Sequence, residues 1–129
     1  MNLWPSKNLR TLLFALLVAG ASLAASCSSD EEDALPTVDC ATATVPTFAN
    51  VSVFSAVCTT CHSSTKTGAA RNAAPVGLDF DTFAAAQPHA TKAVSEVFNG
   101  AMPPNGASAQ LTETQRTELY AWGLCGTPQ

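Results

Sequence analysis

The sequence predicts a small all-α domain of about four short helices, and three observations carry that reading. Apolar and small residues recur three and four positions apart in three stretches, which is the period of one helical face: Phe54 with Val57, Cys58 and Cys61; Ala90 with Val94, Val97 and Phe98; Leu119 with Trp122 and Gly123. Helix-ending residues punctuate these stretches, namely Pro88, Asn99-Gly100 and Pro103-Pro104. Thr112, followed three residues later by Gln115, is the signature of a reciprocal cap at a helix start.

Ahead of that domain the chain opens with basic Lys7 and Arg10, an apolar run from Leu12 to Ala19 that is short for a membrane span, and small residues Ala24-Ala25-Ser26. Residues 1–26 are therefore expected to be an export signal and no part of the fold. Cys27 and the charged stretch Ser28-Ser29-Asp30-Glu31-Glu32-Asp33 come next. This arrangement resembles a bacterial lipoprotein signal, in which the cysteine becomes the lipidated first residue of the mature chain. Ala24 and Ser26 also satisfy ordinary signal cleavage, which needs small residues at those places. Cysteine parity favours the lipidated form. Of five cysteines two belong to the motif described below, so lipidation of Cys27 leaves an even pair, where a soluble exported form would keep an odd thiol. The expected location is the periplasmic side of a bacterial membrane. Ser28 stands where some bacteria use Asp to retain lipoproteins at the inner membrane, which favours the outer one.

Loss of the signal removes two basic residues and leaves four against ten acidic ones, a formal charge of −6. That balance argues against nucleic acid, which demands clustered Lys and Arg, and suits partners with basic patches. Much of the acidity lies between Asp30 and Asp39, in a stretch rich in Ser, Thr, Ala and Pro with no periodicity, so residues 27–46 read as a flexible tether. Residues 47–129 form the folded domain. Its core would be thin without a disulfide or a large prosthetic group.

Within the domain Asn50 is expected to cap a first helix that carries Cys58-Thr59-Thr60-Cys61-His62 at its carboxyl end. Ser63 to Gly77 reads as a loop of Gly, Ala, Asn and Pro. Asp81 is expected to cap a short helix, Thr82 to Ala86, ending before Pro88. A third helix carries Ala90, Val94, Val97 and Phe98 and stops at Asn99-Gly100, and a fourth starts at Thr112.

The spacing Cys-x-x-Cys-His is how a polypeptide is attached covalently to haem. On a helical segment Cys58 and Cys61 share a face, so both thiols can reach the two vinyl groups on one side of a porphyrin and form thioethers. His62 can then turn its imidazole under the iron as the proximal ligand. A thiol-disulfide pair would call for βαβ surroundings, and a structural zinc for a second Cys or His pair at short spacing. Neither accompanies the motif. Met102, in Gly100-Ala101-Met102-Pro103-Pro104, is the expected sixth ligand. A soft thioether favours ferrous iron, and the prolines restrict the backbone that presents it. The alternatives are that Met102 fills a core gap and that His89, the other histidine, takes its place. Cys40 and Cys125, the remaining thiols, are expected to form a disulfide in an oxidising compartment.

From Asn50 to Gly123 the order of features resembles the mono-haem class I cytochromes c: helix, Cys-x-x-Cys-His, loop with proline, Leu-Asp segment, middle helix, Gly-x-Met-Pro, and a terminal helix with an aromatic pair. The resemblance implies one covalent haem c wrapped by about four helices, and electron transfer between unidentified redox proteins as the function, with no catalytic set. It implies that the first and last helices cross, with Phe54 meeting Tyr120 and Trp122 near Gly123. It also implies that Pro75 supplies the carbonyl that receives the outer ring N–H of His62, with Val76 as the alternative, and that Leu78, Phe80, Phe83 and Val97 line the haem pocket. Two other functions stay open at this point, a haem-based small-ligand binder and the haem subunit of a larger redox enzyme. A two-haem peroxidase would need a second Cys-x-x-Cys-His, which the chain lacks.

Overall fold

The computed structural model describes residues 35–129. The expected export signal, Cys27 and the first part of the expected tether, up to residue 34, lie outside the described residues. The described residues are all-α: α1 (Ser52–Ala56), α2 (Phe83–Ala86), α3 (Ala90–Phe98) and α4 (Glu113–Leu124), joined by 3-10 turns at Phe48–Asn50, Cys58–Thr60, Gly68–Arg71 and Gln87–His89, with no strand among them.

α4 is the organising element. Thr112 caps it, with its hydroxyl accepting from Gln115 N–H at 3.2 Å and the Gln115 side chain accepting from Thr112 N–H at 2.9 Å, so the reciprocal cap expected from sequence is present. Leu119 and Trp122 are fully buried against Val53 of α1 and Val94 of α3. The Phe54 ring stacks on Phe48 and Phe80 and stands edge-on to Trp122, with centroids 5.1 Å apart in the last pair. Aromatic contacts of this kind add about 0.5–1.5 kcal/mol each beyond area burial. α1 and α4 therefore pack together through Phe54 and Trp122. Tyr120, expected beside Phe54, instead pairs with Phe98 at 6.2 Å, and Phe98 is 45 % exposed. Gly123 serves a different neighbour too: a Cβ there would lie 2.6 Å from Val94 Cγ2 and 3.3 Å from the Ala90 carbonyl oxygen, so the missing side chain lets α4 approach α3.

Three expected helix starts and ends shift, each for a local reason. Asn50 does not cap α1; its side-chain amide donates to Thr47 Oγ1 at 3.2 Å inside the preceding 3-10 turn. α1 is capped from across the fold, where Glu118 Oε2 accepts from Ser52 N–H at 3.1 Å and from Ser52 Oγ at 2.7 Å. α1 also stops at Ala56, and the motif forms a separate 3-10 turn. Thr59 and Thr60 turn their hydroxyls back onto the Ser55 and Val57 carbonyls, which competes with the helical ladder. Asp81 does not cap α2: Thr82 does, accepting from Ala85 N–H at 3.3 Å. α3 ends as expected, with Asn99 as its cap residue and Gly100 at φ +73° beyond it.

A disulfide joins Cys40 to Cys125, with Cα atoms 5.4 Å apart and a sequence separation of 85. It ties Cys40, within the segment expected to be a flexible tether, to the residue after α4, so the chain is fastened to the domain from Cys40 onward. The tail that follows turns back onto the core, and the Pro128 carbonyl accepts from both Trp122 Nε1 and Phe48 N–H, each at 2.9 Å.

Candidate functional site

The 3-10 turn at Cys58–Thr60 opens onto a cavity of about 430 Å³. In a 3-10 turn residues three apart eclipse one another, so Cys58 and Cys61 reach the same wall. The His62 N–H donates to the Cys58 carbonyl at 2.8 Å, and the His62 carbonyl accepts from Phe80 N–H at 3.0 Å. His62 is thereby pinned between the motif and the segment after the loop. Its ring stands edge-on to Phe80, with centroids 5.6 Å apart.

His62 Nδ1 lies 2.9 Å from the Leu78 carbonyl oxygen. A carbonyl only accepts, so Nδ1 is the donor and carries the proton. The acceptor expected from the family resemblance was Pro75. Its carbonyl instead accepts from Arg71 Nη2, while Val76, the alternative, is 91 % exposed and Leu78, three residues on, takes the histidine proton.

Pro75, Leu78, Phe80 and Val97 line the cavity as expected, and so does Met102. Phe83 does not: its ring packs edge-on to Phe48 at 6.1 Å, on the core side of α2. Met102 sits at the end of α3, where Ala101 N–H and Met102 N–H both donate to the Glu96 carbonyl, at 2.9 and 3.0 Å. Met102 is 38 % exposed. His89, at the other end of α3, lines the same cavity, so both sequence candidates for the sixth ligand share one space with His62. Between them Lys92, Ala93, Glu96 and Val97 form a wall, with Lys92 and Glu96 paired at 2.6 Å.

Sequence reasoning missed Arg71, which is buried in the loop and binds carbonyls of Ser63, Ala74 and Pro75 together with Asp79 Oδ1. The available signal was its isolation, since it is the one charged residue between Lys66 and Asp79. Ala109 and Leu111, which close the far wall before α4, were also missed because nothing in their local pattern marks them.

The electrostatics bear on one of the chemistries considered for the motif, thiol-disulfide exchange. Burial pushes the Cys58 thiol up to about 12, so it is protonated at neutral pH. A thiol held protonated is a poor nucleophile for disulfide exchange. Cys58 and Cys61 are free thiols, not joined to each other. Among the described residues no three His, Cys, Asp or Glu side chains gather into a group that could hold a metal ion. What the site brings together is two thiols, one tautomer-fixed imidazole and a thioether around an apolar space. Comparison with known protein families, curated proteins and solved structures finds no match to this chain.

Proposed function

We propose that this chain is a c-type cytochrome that carries one covalent haem and passes single electrons between redox proteins. The observation that carries the proposal is the placement of Cys58, Cys61 and His62 on one largely apolar cavity, with Nδ1 of His62 committed to the Leu78 carbonyl. Those three residues fit the group in number, order and chemistry: the thiols would hold it through thioethers and His62 would ligate its iron. Met102 is the proposed sixth ligand. When bound, haem supplies reversible one-electron chemistry at its iron.

The chain's own residues do the rest. Leu78 holds the His62 ring in one tautomer and one orientation. Phe80, Val97 and Leu111 exclude water from the cavity, which disfavours added charge within it. The Glu96 carbonyl fixes the backbone that presents Met102. Lipidation of Cys27 would tether the domain to the periplasmic side of a membrane through the residues ahead of Cys40, which the disulfide to Cys125 fastens to the domain, leaving the domain free to meet donor and acceptor proteins. Among the described residues no helix is long and apolar enough to cross a membrane.

A second reading, a haem-based binder of small ligands in which Met102 would yield the iron to the ligand, draws on the exposure of Met102. Carbon monoxide separates the two. A carrier with Met102 on the iron resists it at neutral pH, and a binder takes it up. The primary test is acid-acetone extraction of protein made in a host competent for cytochrome maturation. Pigment that stays with the polypeptide supports thioether attachment through Cys58 and Cys61, and pigment lost or absent contradicts it.

A further inference from the structure

The loop between the motif and α2 holds Arg71 at 4 % exposure. Nε donates to the Ala74 carbonyl at 3.0 Å, Nη1 to the Ser63 carbonyl at 2.7 Å, and Nη2 to both the Pro75 carbonyl and Asp79 Oδ1, the latter at 2.8 Å. Nη2 also lies 3.5 Å from the Leu78 carbonyl oxygen. That oxygen is the acceptor of the His62 Nδ1 proton. A guanidinium offers five N–H groups in one rigid plane, and it uses them here to tie together a loop that has little packing of its own. An ammonium, with its donors on a single atom, cannot span the same set. The buried cation is balanced by Asp79, whose side chain is 13 % exposed against 5 % for Arg71.

We infer that Arg71, balanced by Asp79, is a positioning residue for His62: it clamps the loop so that the Leu78 carbonyl meets the Nδ1 proton, and the charge balance of the pair sets how strongly that carbonyl draws on the ring. This rests on the proposal that His62 ligates iron. A cation beside an acceptor withdraws electron density from it and weakens its pull on the imidazole proton, and a neighbouring carboxylate opposes that effect. The pair therefore adjusts how electron-rich the ring is as a ligand, without lying on the cavity wall itself.

The test compares wild type, Arg71→Lys and Asp79→Asn, all made in a host that attaches haem. In the reduced protein, exchange of the His62 Nδ1 proton with solvent is followed by NMR. Arg71→Lys, which keeps the charge and loses the fork, is expected to speed that exchange about tenfold, as weakening one buried hydrogen bond would. Asp79→Asn, which leaves the guanidinium unbalanced, is expected to raise the midpoint potential. Unchanged exchange in a folded Arg71→Lys protein overturns the inference. Should Arg71→Lys fail to fold, Asp79→Asn decides alone, and a potential that stays put or falls overturns it. Failure of the haem proposal is visible separately, as a wild-type protein with no attached pigment. The ring nitrogen shifts of His62 then decide: an Nδ1-protonated ring in wild type that loses this preference in Arg71→Lys supports the clamp, and a ring indifferent to the substitution refutes it.

Discussion

Asp81 shows how a single side chain can hold the motif in place without touching it. Its carboxylate accepts from Ser64 N–H at 2.6 Å, and hydrogen bonds from Ser63 and Ser64 hold its pKa below the ordinary value of 3.8. A depressed carboxylate contributes stability above its unfolded pKa and loses it as pH falls through the lower folded value. The anchorage of the residues after His62 is thus expected to persist at pH 5 and to weaken below about pH 4. Asp81→Asn should flatten that acid limb in a denaturation series, and an unchanged acid limb would show that the contact contributes nothing. Met102 gives a second expectation at this scale. Met102→Ala should remove any sulfur-to-iron absorption from the spectrum of the oxidised protein while leaving the pigment attached; a band that persists would assign the sixth position elsewhere, with His89 the residue to replace next. That Cys58, Cys61, His62 and Met102 share one cavity was anticipated from their order in the chain. Leu78 was not legible as the histidine's acceptor, because a main-chain carbonyl carries no side-chain signature and Arg71 engages the one that Pro75 offers.

Between elements, contacts distant in sequence decide the packing. Glu118 of α4 caps α1, with a carboxylate placed where the first N–H groups of the helix are otherwise unpaired. Glu118→Ala is expected to lower stability by about 1 kcal/mol, the usual worth of a cap, readable as a shift of the denaturation midpoint at constant slope. Gly123→Ala is expected to cost more, about 1–3 kcal/mol, because its Cβ would meet Val94 Cγ2 at 2.6 Å between two closely packed helices. Stability equal to wild type would mean that α3 and α4 separate freely. α3 and α4 were legible in sequence, since their apolar period and the Thr112/Gln115 cap lie within each element. The cap of α1 was not, because it lies 66 residues away. The end of α1 was missed for the opposite reason: the hydroxyls of Thr59 and Thr60 act locally, but the apolar period runs through them.

For the molecule as a whole, the described residues enclose a cavity of about 430 Å³ in a domain whose fully buried large side chains are few: Trp122, Leu119, Val53 and Val94. A core this small relies on cross-links and on whatever fills the space. The Cys40–Cys125 disulfide closes most of the domain into one loop and contributes about 4 kcal/mol in the chain-entropy view. Its reduction should lower the thermal midpoint by many degrees, and an unmoved midpoint would mean that the tail is held by Pro128 and its two donors alone. The all-α class and the pairing of these cysteines were readable from the sequence. The way α3, the Arg71 loop and the segment before α4 come together around one space was not, since it depends on packing at long range. The most direct measurement is the intact mass of the mature chain after expression with a cytochrome maturation system. One haem of added mass, lost when Cys58 and Cys61 are both replaced by serine, is the expected result. A chain weighing only its amino acids and any lipid would contradict it.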